Sequence, residues 1–194
     1  MDNKTTAQHH GVVFTRVPVV EFMLDLVGYH PDEQLHTLRL LEPSFGDGRF
    51  VIQAAGRLLQ SWRAAGGQDP HDLIDVIRAV EIDPQSVAQF SQRLVDYLVT
   101  QRIAPDAAQK LAEAWLMSGD YLTTKFDHLF DFVVGNPPYV RHEAIPKELL
   151  KKYRVRYRTM VGRADLYIPF MEKSLDLLSS TGKLSFITPN AWMK

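Results

Sequence analysis

Cysteine is absent from all 194 residues, which excludes disulfides and any zinc or iron–sulfur site held by thiolates. No apolar run reaches the length of about 18 residues that a membrane-crossing helix needs. The start, Met1 to His10, is polar and has no apolar signal core. The formal net charge is only −1, so any contact with a polyanion must come from a local patch rather than from a global field. These absences point to a cytoplasmic protein with no membrane partner. His9 and His10 sit in the polar terminus and read as flexible chain rather than as metal ligands, and no metal site is expected.

What is present is globular in character. Hydrophobic residues make up 45% and charged residues 23% of the chain, close to the averages of folded domains, and the length suffices to bury a core. Helical apolar spacing runs from Pro18 to Val27 and stops at Gly28. Leu38 to Leu41 predicts a short buried strand, followed by the loop Glu42-Pro43-Ser44-Phe45-Gly46-Asp47-Gly48 and a helix from Arg49 to about Ala64. After the break Gly66 to Pro70, a short helix covers His71 to Leu73 and a strand runs from Val76 to Ile82. Helices follow from Pro84 to about Val99 and from Ala104 to Trp115. Leu116 to Leu122 carries a weak strand, Asp131 to Val134 a clear one, Leu166 to Leu178 a helix and Leu184 to Thr188 a last strand. Alternation of this kind predicts an α/β fold, Rossmann-like and doubly wound on a mainly parallel sheet, with ligands outside the carboxyl ends of the strands.

The residues with chemical potential lie at those ends. Phe132, Val133 and Val134 lead into Gly135-Asn136-Pro137-Pro138-Tyr139, where two prolines remove backbone donors and halt the strand. Asn136 is pushed out of the α region by the proline after it. Its Oδ1 and the Pro137 carbonyl would accept two hydrogen bonds from one amino group, with Tyr139 stacked over the attached ring; the alternative is an ordinary strand-ending turn with a surface tyrosine. Gly46 and Gly48 would let backbone approach a ligand closely, although Val51 stands where a phosphate fingerprint has its third glycine. Glu42 in the same loop would repel a pyrophosphate and attract an ammonium group, so a zwitterionic sulfonium cofactor suits this loop better than a dinucleotide. A plain glycine turn is the competing reading. Glu81 is placed to take both ribose hydroxyls, Ile82 to lie against an adenine face, and Asp120, with Tyr121 beside it, to accept from an adenine amine. Helix capping is the structural alternative for either acid.

In this order the segments resemble one family, the gamma class of S-adenosylmethionine-dependent DNA adenine-N6 methyltransferases of restriction-modification systems. The resemblance rests on Phe14-Thr15-Arg16-Val17-Pro18, Leu41-Glu42-Pro43-Ser44-Phe45-Gly46-Asp47-Gly48-Arg49-Phe50 and Val80-Glu81-Ile82-Asp83-Pro84. It continues through Gly119-Asp120-Tyr121-Leu122, Asn136-Pro137-Pro138-Tyr139 and Asp165-Leu166-Tyr167 to Phe186-Ile187-Thr188-Pro189-Asn190-Ala191-Trp192. It implies a class I methyltransferase fold with S-adenosyl-L-methionine as cofactor. Thr15, Glu42, Pro43, Ser44, Gly46, Gly48, Phe50, Glu81, Ile82, Asp120, Tyr121 and Asn136 would then surround the cofactor, and Asn136, Pro137, Pro138 and Tyr139 would hold a flipped-out adenine. Arg16 stands where the family has a proline. The family also continues with further strands and a separate target-recognition domain, so the chain is expected to be C-terminally truncated against it. Residues 1–13 are expected to form a flexible terminus and 14–194 the catalytic domain.

The implied partners are double-stranded DNA and a cognate restriction endonuclease or specificity component. A local patch for the DNA exists: Lys151, Lys152, Arg154, Arg156 and Arg158, interleaved with Tyr153 and Tyr157, would follow a phosphate backbone. A solvated basic helix face is the alternative. Two other functions share features of the sequence. One is a protein glutamine-N5 methyltransferase, which resembles this chain in Asn-Pro-Pro-Tyr, and the other is a catalytically silent DNA- or cofactor-binding fragment.

Overall fold

Apolar residues at helical spacing form the first helix, α1 (Val17–Val27), with Pro18 in the first turn, where its missing N–H removes no hydrogen bond. The computed structural model describes residues 15–190. The flexible terminus expected over 1–13, together with Phe14, Ala191 and Trp192 of the family segments, lies outside the described residues. Strand β1 (Leu40–Glu42) is buried along its whole length and runs through the glycine loop into α2 (Arg49–Ala64). A 3-10 turn at Pro70–Leu73 leads to β2 (Ile77–Glu81). Helix α3 (Pro84–Thr100) is capped by Asp83, whose carboxylate accepts from Gln85 N at 3.2 Å and Ser86 N at 3.0 Å. Asp83, not Glu81, therefore caps this helix.

Helix α4 (Pro105–Trp115) passes directly into β3 (Leu116–Ser118), which is much shorter than the strand expected over Leu116 to Leu122. The pairing with β2 stops because the chain turns at Asp120: its side chain accepts from Leu122 N at 2.9 Å and its carbonyl from Thr123 N and Thr124 N. Strand β4 (Phe130–Gly135) matches expectation closely. The basic stretch contains a helix of its own, α5 (Lys147–Arg156), followed by α6 (Tyr167–Asp176) and β5 (Leu178–Phe186). The last strand begins earlier than predicted because Leu178 already pairs with Phe130; the register then shifts so that Lys183 pairs with Phe132.

The five strands lie in the order β3-β2-β1-β4-β5, and every pairing is parallel. Alternate residues serve opposite faces. Leu40, Ala79, Phe132 and Val134 join a core built with α1, α2, α3 and α4. Leu41, Val80 and Val133 join a second core with Tyr153, Tyr157 and Phe170 from the α5–α6 side. Order reverses between β1 and β4, the switch point at which an open parallel sheet leaves a crevice.

Gly48 is required for packing as much as for conformation. Its φ is +77°, and a Cβ there would lie 2.0 Å from the Phe90 ring, which is itself buried. Gly66 has a similar φ of +82° with open space around it. Gly48→Ala is expected to destabilise the domain by at least about 2 kcal/mol, combining overpacking with left-handed strain, and Gly66→Ala by about 1 kcal/mol. Urea denaturation midpoints would check both.

Candidate functional site

Strands that end at the same edge bring distant polar residues together. Glu42 closes β1, Glu81 closes β2, Asp120 follows β3 and Asn136 follows β4, and all of them line one cleft of about 410 Å³. Of the residues singled out in the sequence, Thr15, Pro43, Ser44, Gly46, Phe50 and Ile82 also line it, as do Tyr121, Pro137 and Pro138. Gly48 and Tyr139 are not among the lining residues. What approaches the backbone closely at Gly48 is the Phe90 ring, not an open cleft.

Glu42 dominates the electrostatics. It is only 1% exposed, and its Oε2 finds no hydrogen-bond partner among the described residues. Burial, reinforced by the nearby carboxylates of Asp47 and Glu81, pushes its pKa well above the usual carboxylate range, against a backbone hydrogen bond from Val51. The empty site therefore favours the neutral acid, and a cation entering the cleft would offset that penalty and favour the ionised form. Asp47 is already neutralised by Arg49, whose Nε lies 2.7 Å from its Oδ2 and whose other arm donates to the Thr15 carbonyl at 2.9 Å.

Glu81 and Asp120 are fixed by their own surroundings. Glu81 accepts from Gly46 N at 3.0 Å and from Asp83 N at 3.1 Å, so the glycine loop is tied to the end of β2. Each carboxylate oxygen keeps acceptor capacity beyond those bonds. Ile82 beside it is 62% exposed, an apolar face open to a flat ligand. Asp120 Oδ1 accepts from Leu122 N at 2.9 Å and Oδ2 from the Tyr153 hydroxyl at 3.1 Å. Tyr121 stands beside Asp120 on the cleft wall. Its ring is 2% exposed, packs 4.9 Å from Phe170 and hydrogen-bonds Ser174 at 2.9 Å, so it belongs to the second core and offers no free stacking face.

At the end of β4, Asn136 Nδ2 donates to Thr15 Oγ1 at 3.2 Å, and the Asn136 backbone carbonyl accepts from Ser44 Oγ at 3.3 Å. The donor end of the amide is thereby assigned to the protein, and the oxygen is the end suited to a substrate N–H. Tyr139 is half-buried beside the cleft, its hydroxyl donating to Ile187 O at 3.2 Å just past β5.

The basic stretch is divided between two tasks. Lys151, Lys152 and Arg154 are exposed on α5, where Lys151 pairs with Glu148 at 3.1 Å and Arg154 donates to Gly162 O at 3.0 Å; the Arg158 side chain is 94% exposed. Arg156 instead donates to Leu122 O at 3.0 Å. Tyr153 and Tyr157 are buried at 3% and 6%, so they do not interleave with the cations on the outside. A shallow groove of about 390 Å³ runs between Thr123 and Lys151, Lys152, Val155 and Arg156.

Several lining residues have no local pattern in the sequence that marks them as part of a site. Val140, Ile145, Leu149, Leu166 and Phe170 form an apolar wall opposite the strand ends. They lie far along the sequence from the glycine loop, in α5, in α6 and in the turns before each, and only folding brings them to it. The Asp165-Leu166-Tyr167 segment is the one local marker of this wall, through Leu166.

The Eco57I restriction-modification methylase family matches residues 75–194. The chain is 50% identical over 186 residues to the Type II methyltransferase M.PaeR7I of Pseudomonas aeruginosa, covering 95% of this chain and 32% of that protein. It spans about a third of the length of curated relatives it matches. A Listeria monocytogenes protein described as a class I S-adenosylmethionine-dependent methyltransferase superposes with a TM-score of 0.57 at 16% identity, over 95% of this chain and 50% of that one. The ATP-dependent Type ISP restriction-modification enzyme LlaBIII, solved bound to DNA, superposes with a TM-score of 0.62 at 21% identity, over 97% and 15%. The fold is thus that of the class I S-adenosylmethionine-dependent methyltransferases. With the strand order, the cleft and the matched segment in agreement, the chain belongs to the Eco57I restriction-modification methylase family.

Proposed function

We propose that this chain is the catalytic domain of a DNA methyltransferase that transfers a methyl group from S-adenosyl-L-methionine to N6 of a flipped-out adenine in duplex DNA. The observation that carries the reading is the meeting of Glu42 and Asn136 across the β1–β4 switch in one cleft. A buried carboxyl group with one oxygen lacking a partner among the described residues suits a cationic cofactor, and an amide oxygen beside a proline carbonyl suits an amino group. Membership of a restriction-modification family supports DNA as the substrate, with a cognate endonuclease or specificity component as partner and the cytoplasm as location.

When bound, the cofactor supplies a methyl group already activated on a sulfonium. Glu42 holds the ammonium end, with Thr15 and the loop Pro43, Ser44 and Gly46 around it, and Phe50 closes the floor. Glu81 accepts from the ribose hydroxyls, Ile82 covers one adenine face and Asp120 accepts from the adenine amine. Asn136 Oδ1 and the Pro137 carbonyl accept from the two N–H bonds of the target amine. Those contacts would draw its lone pair out of conjugation with the ring and orient the nitrogen as a nucleophile towards the activated methyl group, which is the positioning part of the catalysis. Pro138 keeps the turn rigid. The target base must leave the duplex, which costs a few kcal/mol, and stacking on Tyr139 returns about 1–3 kcal/mol of that. On the outer surface Lys151, Lys152, Arg154, Arg156 and Arg158 follow the phosphates.

The test is methyl transfer from labelled cofactor to an adenine-containing duplex, with the modified nucleoside identified by mass spectrometry. N6-methyladenine is the expected product; label found only in cytosine or in protein would overturn the assignment. Asn136→Ala should lower turnover on the order of 10²–10³-fold. Replacing Lys152 with Ala should weaken binding evenly across DNA sequences and reduce the slope of log affinity against log salt by about 1. Glu42 has a raised folded pKa, so its favourable contribution to stability is complete below the unfolded value and is lost as pH rises towards the folded one. Glu42→Gln should therefore raise the Tm of the cofactor-free protein at pH 8 and weaken cofactor binding on the order of a hundredfold by calorimetry.

A further inference from the structure

The turn after β3 is gripped by side chains to which the proposed reaction gives no part at the cofactor or the target base. Tyr157 donates its hydroxyl to Leu122 O at 2.5 Å, Arg156 donates to the same carbonyl at 3.0 Å, and buried Lys173 donates to Tyr121 O and Thr124 O. These three secure backbone. Tyr153 alone reaches the functional side chain, donating to Asp120 Oδ2 at 3.1 Å. It is 3% exposed and lines the cleft itself.

We propose that Tyr153 is a positioning residue that makes Asp120 a selective reader of the 6-amino group of the cofactor's purine. The inference rests on the cofactor reading above. An ionised carboxylate only accepts hydrogen bonds. Held at Oδ1 by Leu122 N and at Oδ2 by the Tyr153 hydroxyl, its plane cannot turn, and its remaining lone pairs face a fixed direction. An amine presented there donates. A 6-oxo group presents a second acceptor to the first and is repelled. Burial and the Asp120 charge push the Tyr153 phenol well above its ordinary pKa, so it remains a donor throughout the working pH range. Without that hydroxyl the carboxylate is held at one oxygen and can rotate away from the mismatched group, and discrimination falls.

Tyr153→Phe keeps the ring in the second core and removes only the donor. Tyr157→Phe removes an equally buried phenolic donor that does not touch Asp120, and serves as the structural control. Calorimetry would measure the affinity of each variant and of the unaltered protein for S-adenosyl-L-homocysteine and for its 6-oxo analogue, S-inosyl-L-homocysteine, with Tm recorded for each. The unaltered protein and Tyr157→Phe should prefer the amino form strongly, while Tyr153→Phe should lose about tenfold of that preference. A preference left intact in Tyr153→Phe, or lost equally in Tyr157→Phe, would overturn the role of Tyr153 while the cofactor reading stands. Failure of the unaltered protein to take either compound would overturn the cofactor reading, and the positioning role with it.

Discussion

The parallel pairing of β1 with β4 is the constraint on which the site depends. Leu40 lies opposite Phe132 and Leu41 opposite Val133, so the two strands finish together and release their chains at the same edge. Because β2 and β3 lie on one side of β1 and β5 lies beyond β4, the loops leaving β1 and β4 diverge. A crevice between them is a geometric consequence of that divergence. The glycine loop and the Asn-Pro-Pro turn form its two lips, bridged by the Ser44 hydroxyl and by the contact of Asn136 with Thr15.

Carboxyl groups are gathered where the sheet offers little solvent. Glu42 is buried with one oxygen lacking a partner among the described residues, an arrangement that lowers the stability of the empty protein and strengthens any cation that enters. The other acids are handled differently: Glu81 is tied to the loop and to its own strand end, and Asp47 is paired with Arg49. One acid is thus left unsatisfied while its neighbours are fixed. Binding sites commonly carry this sort of local instability, supported by a rigid surround.

Helix α5 joins the two halves of the proposed activity. Its outer face carries Lys151, Lys152 and Arg154, and its inner face sends Tyr153 to Asp120. One ten-residue element therefore stands between a surface suited to phosphates and a pocket suited to a purine. Read as a charge pattern alone, the segment presents only its cations. The tyrosines among them look like partners for bases until the helix turns them inward.

The amino-acid sequence by itself determined the alternation of strands and helices, the all-important loop residues at strand ends, and the acid and amide chemistry of Glu42, Glu81, Asp120 and Asn136. Those features are local, written in periodicities of two and 3.6 and in the backbone limits of proline and glycine. It did not determine the length of β3, the early start of β5, the burial of Tyr121, Tyr153 and Tyr157, or the position of Tyr139 outside the cleft wall. Each of these depends on a partner far along the chain: Ser174 for Tyr121, Asp120 for Tyr153, Leu122 for Tyr157 and Ile187 for Tyr139. A side chain's chemistry is carried in its own letter, but the direction in which it points is set by whichever distant surface it packs against, and only the folded chain brings that surface to it.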